Sequence, residues 1–195
     1  MPQNELPQGI TLRGMHTDFC TRAENEKRVI EGYFVVFDQP YYVADWLEET
    51  ISRHAFDGCD VSDVRALIDH KTHLVLGRST VKTLTFSIDD KGLFGTIETN
   101  AADGDAMNLY ARVQRGDVDQ ASFGFTPKAV AWTDLPNGRC RREIQAIDKL
   151  WEVSVCTFPA YEQTHVGARN AADREIEREA IRREIEKCKR RFRHE

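Results

Sequence analysis

Along most of this chain, apolar and polar side chains alternate with a period of two, the pattern of half-buried β-strands. VDQASFGF (118–125) places Ala121, Phe123 and Phe125 on one face and Ser122 and Gly124 on the other. RVIEGYFVVFD (28–38) is rich in β-branched and aromatic residues and predicts a strand. WLEETISRHAF (46–56) predicts a loop with a short helical turn. DVRALIDH (63–70) predicts a strand with Val64, Ala66, Ile68 and His70 on one face, followed after a short break by LVLGRST (74–80). VKTLTFSID (81–89) and LFGTIET (93–99) predict a hairpin around DDKG, with Gly92 free to take positive φ. KAVAWTD (128–134) and RCRREIQAI (139–147) predict another, turning at Pro136, Asn137 and Gly138. KLWEVSVCTF (149–158) completes the set, with Glu152 on the face of Leu150, Ser154 and Cys156, and Pro159 ending the strand.

The period changes in two places. DAMNLYARVQRGD (105–117) spaces Ala106, Leu109, Tyr110 and Val113 as one helical stripe, with Asp103 or Asp105 as cap and Gly116 as terminator. Residues 170–195 predict a charged helix on which Ile181, Ile185, Cys188 and Phe192 form a narrow seam, supported by Glu179–Arg183 and Glu186–Arg190 pairs. That helix would either dock on a partner or close its own domain. Residues 1–27 are polar and predict a flexible segment. The expected fold is therefore mainly β with helices (α+β), a curled sheet or β-barrel over residues 28–169, with the C-terminal charged helix appended.

Composition narrows the setting. The chain has 195 residues, 41% hydrophobic and 30% charged, with a net charge of −5. No apolar run approaches the ~20 residues of a membrane span, and the first residues lack the basic and apolar regions of a signal peptide. A cytosolic protein is expected. The negative balance gives no reason to propose nucleic acid as a partner. Five cysteines, an odd number without a CxxC pair, predict free thiols. His70 and His73, with His54 and Cys59 upstream, are the nearest approach to a metal cluster, but no paired-ligand motif is present.

Ser122 raises a chemical question. A serine hydroxyl attacks only when a neighbouring base takes its proton, and that base is held by a third group. His70 is the candidate base and His73 its competitor. Glu152 is the candidate orienting acid, because a carboxylate within an apolar strand is costly unless paired. The plainer readings stand beside these: Ser122 as a hydrogen-bonded filler, His70 as a structural strand-end residue, and Glu152 as the partner of Arg78, Arg139, Arg141 or Arg142.

Six blocks shift the balance. EGYFVVFD, ISRHAFDG, ALIDHKTHLVLGRS, GLFGTIET, VQRGDVDQASFGF and LWEVSVCTFPAYEQTHV occur in that order. Together, from about Arg28 to about Arg169, they resemble the HK97-like prohead maturation proteases of tailed bacteriophages, a serine peptidase family distantly similar to the herpesvirus capsid-assembly proteases. His54 departs from the small or turn-forming residue that related sequences often carry there.

The resemblance implies a β-barrel-like fold with surrounding helices, Ser122 as nucleophile, His70 as general base, and Glu152 as the third member where the herpesvirus group has a histidine. It implies a serine endopeptidase, without metal or organic cofactor, that trims the scaffold portion of the major capsid protein inside the assembling prohead in the bacterial host cytoplasm. Self-cleavage and self-association would accompany that role; nucleic acid and membrane would not. The alternative is a non-catalytic assembly or scaffold module retaining the fold. A small-ester hydrolase fits less well, because no G-x-S-x-G elbow is present.

Overall fold

The computed structural model describes residues 6–7, 10–24, 27–44 and 46–158. The predicted C-terminal helix, its seam, Pro159 and His165 lie outside the described residues. Eleven strands and one α-helix follow in chain order: β1 (Thr11–His16), β2 (Cys20–Glu24), β3 (Lys27–Val36), β4 (Tyr41–Ala44), β5 (Leu47–Ile51), β6 (Arg65–Ile68), β7 (Lys71–Arg78), β8 (Leu84–Ile88), β9 (Gly92–Thr99), α1 (Gly104–Arg115), β10 (Gln120–Asp134) and β11 (Cys140–Cys156).

The mainly β expectation holds; the barrel does not. The described strands form two open sheets. One runs β1-β10-β11-β5-β4, with β6 and β7 attached through β11. The other runs β2-β3-β9-β8. β1 and β2 fall in the segment expected to be flexible. Strands there need few large apolar residues, because pairing with β10 and β3 satisfies their backbone groups.

β10 and β11, of 15 and 17 residues, form a single long hairpin. Each absorbs two of the predicted strands, because register shifts at Thr126, Pro127 and Ala129 bend the ladder without breaking it. β11 pairs in parallel with β5 through Cys140–Ile144 and with β6 through Glu152–Val155, so two strands share one of its edges.

β5 is the strand the polar pattern conceals. All five residues of LEETI are buried, and Glu48 and Glu49 are 4% and 0% exposed. Arginines on β1 and β11, and Arg139 just before β11, compensate them. Arg139 and Arg141 bond Glu48, at 2.7 and 2.6 Å. Arg13 and Arg142 bond Glu49, at 2.6 and 2.5 Å. Two adjacent carboxylates read as loop chemistry only while their cross-strand partners are unknown.

The core joins the two sheets and α1 through Ile30, Phe34, Leu93, Leu109, Phe123, Phe125 and Val153, among others. α1 matches its predicted stripe, with Ala106, Leu109, Tyr110 and Val113 buried. Asp103 caps it, and Gly116 at φ 84° ends it. Gly92 serves a different end from the one predicted. It keeps negative φ, and a Cβ there would fall 1.9 Å from the Val35 carbonyl oxygen, so close backbone approach is what demands glycine.

Candidate active site

Phe123 and Phe125 anchor the middle of β10. Both are fully buried, and their rings stack with centroids 5.1 Å apart. Alternation then turns Ser122 and Gly124 to the opposite face. Across the ladder, Ser122 pairs with Ser154 and Gly124 with Glu152. Glu152 does not share its face with Leu150 as expected. A register shift at Gly124/Phe125 places Leu150 opposite Phe125, in the core. The bulge lets β11 bury leucine on one side and present a carboxylate on the other within three residues.

His70 also differs from its predicted setting. β6 ends at Ile68, and Ile68 pairs with Lys71. Asp69 and His70 form the two-residue turn between them, at φ 48° and 59°. Two successive positive φ values are those of the tight hairpin turn that follows strand twist, and Asp and His accept that region better than most residues. The turn carries His70 off the Ala66 and Ile68 face and swings its ring to Glu152. It is pinned to the end of β11: Asp69 N–H donates to the Val155 carbonyl at 3.2 Å, and Thr157 N–H donates to Asp69 Oδ1 at 2.9 Å.

His70 and Glu152 form a tightly built pair. His70 Nδ1 lies 2.9 Å from Glu152 Oε1. The Ser154 hydroxyl donates to Glu152 Oε2 at 2.5 Å and accepts the His70 backbone N–H at 3.2 Å. Glu152 and Ser154 are 1% and 0% exposed. A carboxylate accepts only, so in the neutral imidazole this contact favours the tautomer with its proton on Nδ1 and the lone pair on Nε2, the form a general base requires. None of the arginines considered as Glu152 partners reaches it. Arg78 bonds Asp63, and Arg139, Arg141 and Arg142 serve β5. His73, the competing histidine, is exposed on β7. His54 is exposed beside Asp57.

Three groups at the site escaped the sequence reading. Asp69 shapes the turn, and a DH pair closing an apolar run was the available signal. Cys156 places its sulfur 3.9 Å from His70 Nε2. Burial, with the nearby Asp69 and Glu152 carboxylates, pushes this thiol far above its ordinary range, so it stays protonated and poorly nucleophilic. The third is the Arg13 main chain: the Ser122 hydroxyl donates to its carbonyl oxygen at 2.8 Å rather than to His70.

A sequence profile described as caudovirus prohead serine protease matches residues 16–179. The chain belongs to that family. It is thus a phage capsid-maturation protease of the serine class. The prohead protease of Enterobacteria phage HK97 is 30% identical over 164 residues, covering 84% of this chain and 69% of that protein. Among solved structures, the bacteriophage T4 capsid assembly protease covers 75% of this chain and 96% of its own, at 11% identity and a TM-score of 0.46. Within this prohead protease, Ser122 and Glu152 lie on adjacent strands of the seven-stranded sheet and His70 on the turn between β6 and β7; the ring of His70 meets Glu152, while the Ser122 hydroxyl meets Arg13.

Proposed function

We propose that this protease is an endopeptidase that cleaves the scaffold portion of its phage's major capsid protein, and itself, inside the assembling prohead, with Ser122 as nucleophile, His70 as general base and Glu152 as the orienting acid. The observation that carries the assignment is the buried Glu152 carboxylate. It is held through Oε2 by Ser154 and directed through Oε1 onto His70 Nδ1. Such an arrangement is costly to bury and has an evident use only if Nε2 must accept a proton.

In the reaction His70 Nε2 takes the Ser122 proton as Oγ attacks a peptide carbonyl. Glu152 stabilises the imidazolium that forms, and the proton passes to the leaving amine. Water then releases the acyl group by the same route. Co-expression with the major capsid protein tests the reading. Ser122→Ala is expected to leave that protein uncleaved; processing equal to the parent's would refute the nucleophile.

A second reading, a non-catalytic assembly module, is favoured by one observation: Ser122 is wholly buried and its proton is engaged by Arg13. A fluorophosphonate probe separates the two. Labelling that needs both Ser122 and His70 supports the enzyme, and a folded chain that never labels supports the module.

A further inference from the structure

Ser122 has a single hydroxyl proton, and it is given to a main-chain carbonyl rather than to His70. The acceptor is the main chain of β1, the terminal strand of the seven-stranded sheet among the described residues. β1 pairs with β10 from Thr11↔Phe125 to His16↔Gln120, a span centred on the nucleophile. Gly14 stands opposite Ser122 in that register. On its other side β10 is paired with β11 over the same residues. Both edges of the nucleophile strand are therefore taken, one by β11, which carries Glu152, and the other by β1.

An extended peptide recognised by main-chain pairing needs a free strand edge. The β11 edge cannot open without dismantling the acid–base pair. The β1 edge can. Among the described strands β1 has one neighbour, and it is mostly half-buried; besides its ladder it is held by ties that include Arg13 on Glu49, His16 Nε2 at 3.4 Å from Asp119 Oδ2, the Tyr41 hydroxyl on Met15 Sδ at 3.6 Å, and the Thr17 N–H on the Asp119 carbonyl at 2.9 Å. Arg13 thus does two things. Its guanidinium latches β1 to Glu49 through two hydrogen bonds, and its carbonyl holds the Ser122 proton.

From this we infer that β1 occupies the seat of the substrate strand, the edge of β10 from Gln120 to Phe125, and that it leaves this edge before Ser122 reacts. The inference rests on Ser122 being the nucleophile. The occupant that replaces β1 is an extended peptide segment. By the register of β1 it carries a small residue opposite Ser122, as Gly14 is now, and an apolar one opposite Gly124, as Leu12 is now. In the resting chain the protease is closed by its own strand, and opening frees both the serine and the backbone donors of the β10 edge.

A reversible lock tests this in the full chain. Met15 and Ala121 are paired across β1 and β10, on the face opposite Ser122. Directly cross-strand positions of an antiparallel pair suit a disulfide, so the double variant Met15→Cys, Ala121→Cys can be closed by oxidant and opened by reductant. With a fluorophosphonate probe, the oxidised chain is expected not to label and the reduced chain to label as the unsubstituted one does. Arg13→Ala, which removes the latch, is expected to label about tenfold faster, as a closed state weakened by about 1.4 kcal/mol would. Equal labelling of the oxidised and reduced chains would overturn the displacement of β1 while leaving Ser122 as nucleophile. Absence of labelling in the unsubstituted, reduced and Arg13→Ala chains alike would overturn Ser122 as nucleophile, and the seat with it.

Discussion

Gly124 and Glu152 face each other across β10 and β11, and a Cβ at position 124 would stand 2.8 Å from Glu152 Oε1 and 3.0 Å from Leu12 Cδ2. The glycine is the space the carboxylate fills. Gly124→Ala should push Oε1 off His70 Nδ1. Fluorophosphonate labelling of Ser122 is expected to fall about 10²-fold, the usual consequence of misplacing a reacting group by ~1 Å. A variant that labels at the parental rate would show that the carboxylate is not needed where it stands.

Ser154 makes the next prediction. Its hydroxyl is the donor to Glu152 Oε2 and the acceptor for the His70 N–H. Ser154→Ala leaves a buried carboxylate oxygen without that donor and loosens the turn bearing His70. Thermal or urea unfolding should show a loss of about 2 kcal/mol, typical of a hydrogen bond to a charged group. The maximal rate of capsid-protein cleavage should fall more than the apparent KM changes, because substrate contacts are untouched.

Cys156 lies 3.9 Å from His70 Nε2, yet its buried, protonated thiol is not expected to react. Cys156→Ala should keep Ser122 labelling within about threefold, a barrier change under 1 kcal/mol. In the folded parent at pH 8, Cys156 should resist alkylation that modifies the exposed Cys20. Transfer of the label from Ser122 to Cys156 in any parent preparation would contradict this.

Glu49 should matter for stability rather than chemistry. It is fully buried between Arg13 and Arg142. Glu49→Ala would remove the carboxylate that both guanidiniums bond, at a cost of about 3 kcal/mol, the lower end for breaking a buried pair because both arginines retain some exposure. Urea unfolding measures it; a loss under about 1 kcal/mol would mean that water replaces the carboxylate cheaply.

Tyr41 gives a pH signature. Its hydroxyl is buried, donating to the Val36 carbonyl and accepting from the Val36 N–H, and burial raises its pKa to about 12. The group is neutral in both states below its ordinary pKa of about 10, so its contribution is whole there. As pH rises from about 10 to about 12 the unfolded chain releases the proton first, and stability falls by on the order of 3 kcal/mol. Tyr41→Phe should flatten this fall in urea titrations at increasing pH, and an unchanged slope would assign the fall elsewhere.

The site was more legible than the sheet order. Alternation alone put Ser122 and Gly124 on the face opposite two anchoring phenylalanines, because a strand with a buried aromatic side has no other choice of register. Glu152 drew attention because an unpaired carboxylate in an apolar strand demands a partner. That the partner is His70 and not an arginine depended on contacts 82 residues apart in the chain. His70 was placed on the wrong face because a two-residue turn is nearly invisible when it contains neither Gly nor Asn. Leu150 was misplaced by a bulge, and periodicity contains no mark for one extra residue. β5 was missed because Glu48 and Glu49 are balanced by arginines from distant segments, and β1 because its pairing uses main-chain groups that every sequence has.

β11 pairs with β10, β5 and β6, and it is the last described strand to leave the ribosome. Until residues 152–156 have been synthesised, β6 and the Asp69–His70 turn lack the edge on which they dock, and the acid is not yet part of the chain. Long-range pairing of this kind forms late because its loops must close first. A nascent chain can therefore hold Ser122, His70 and much of its core before Glu152 reaches the imidazole. The His70–Glu152 contact is therefore among the last of the described long-range contacts that the growing chain can make.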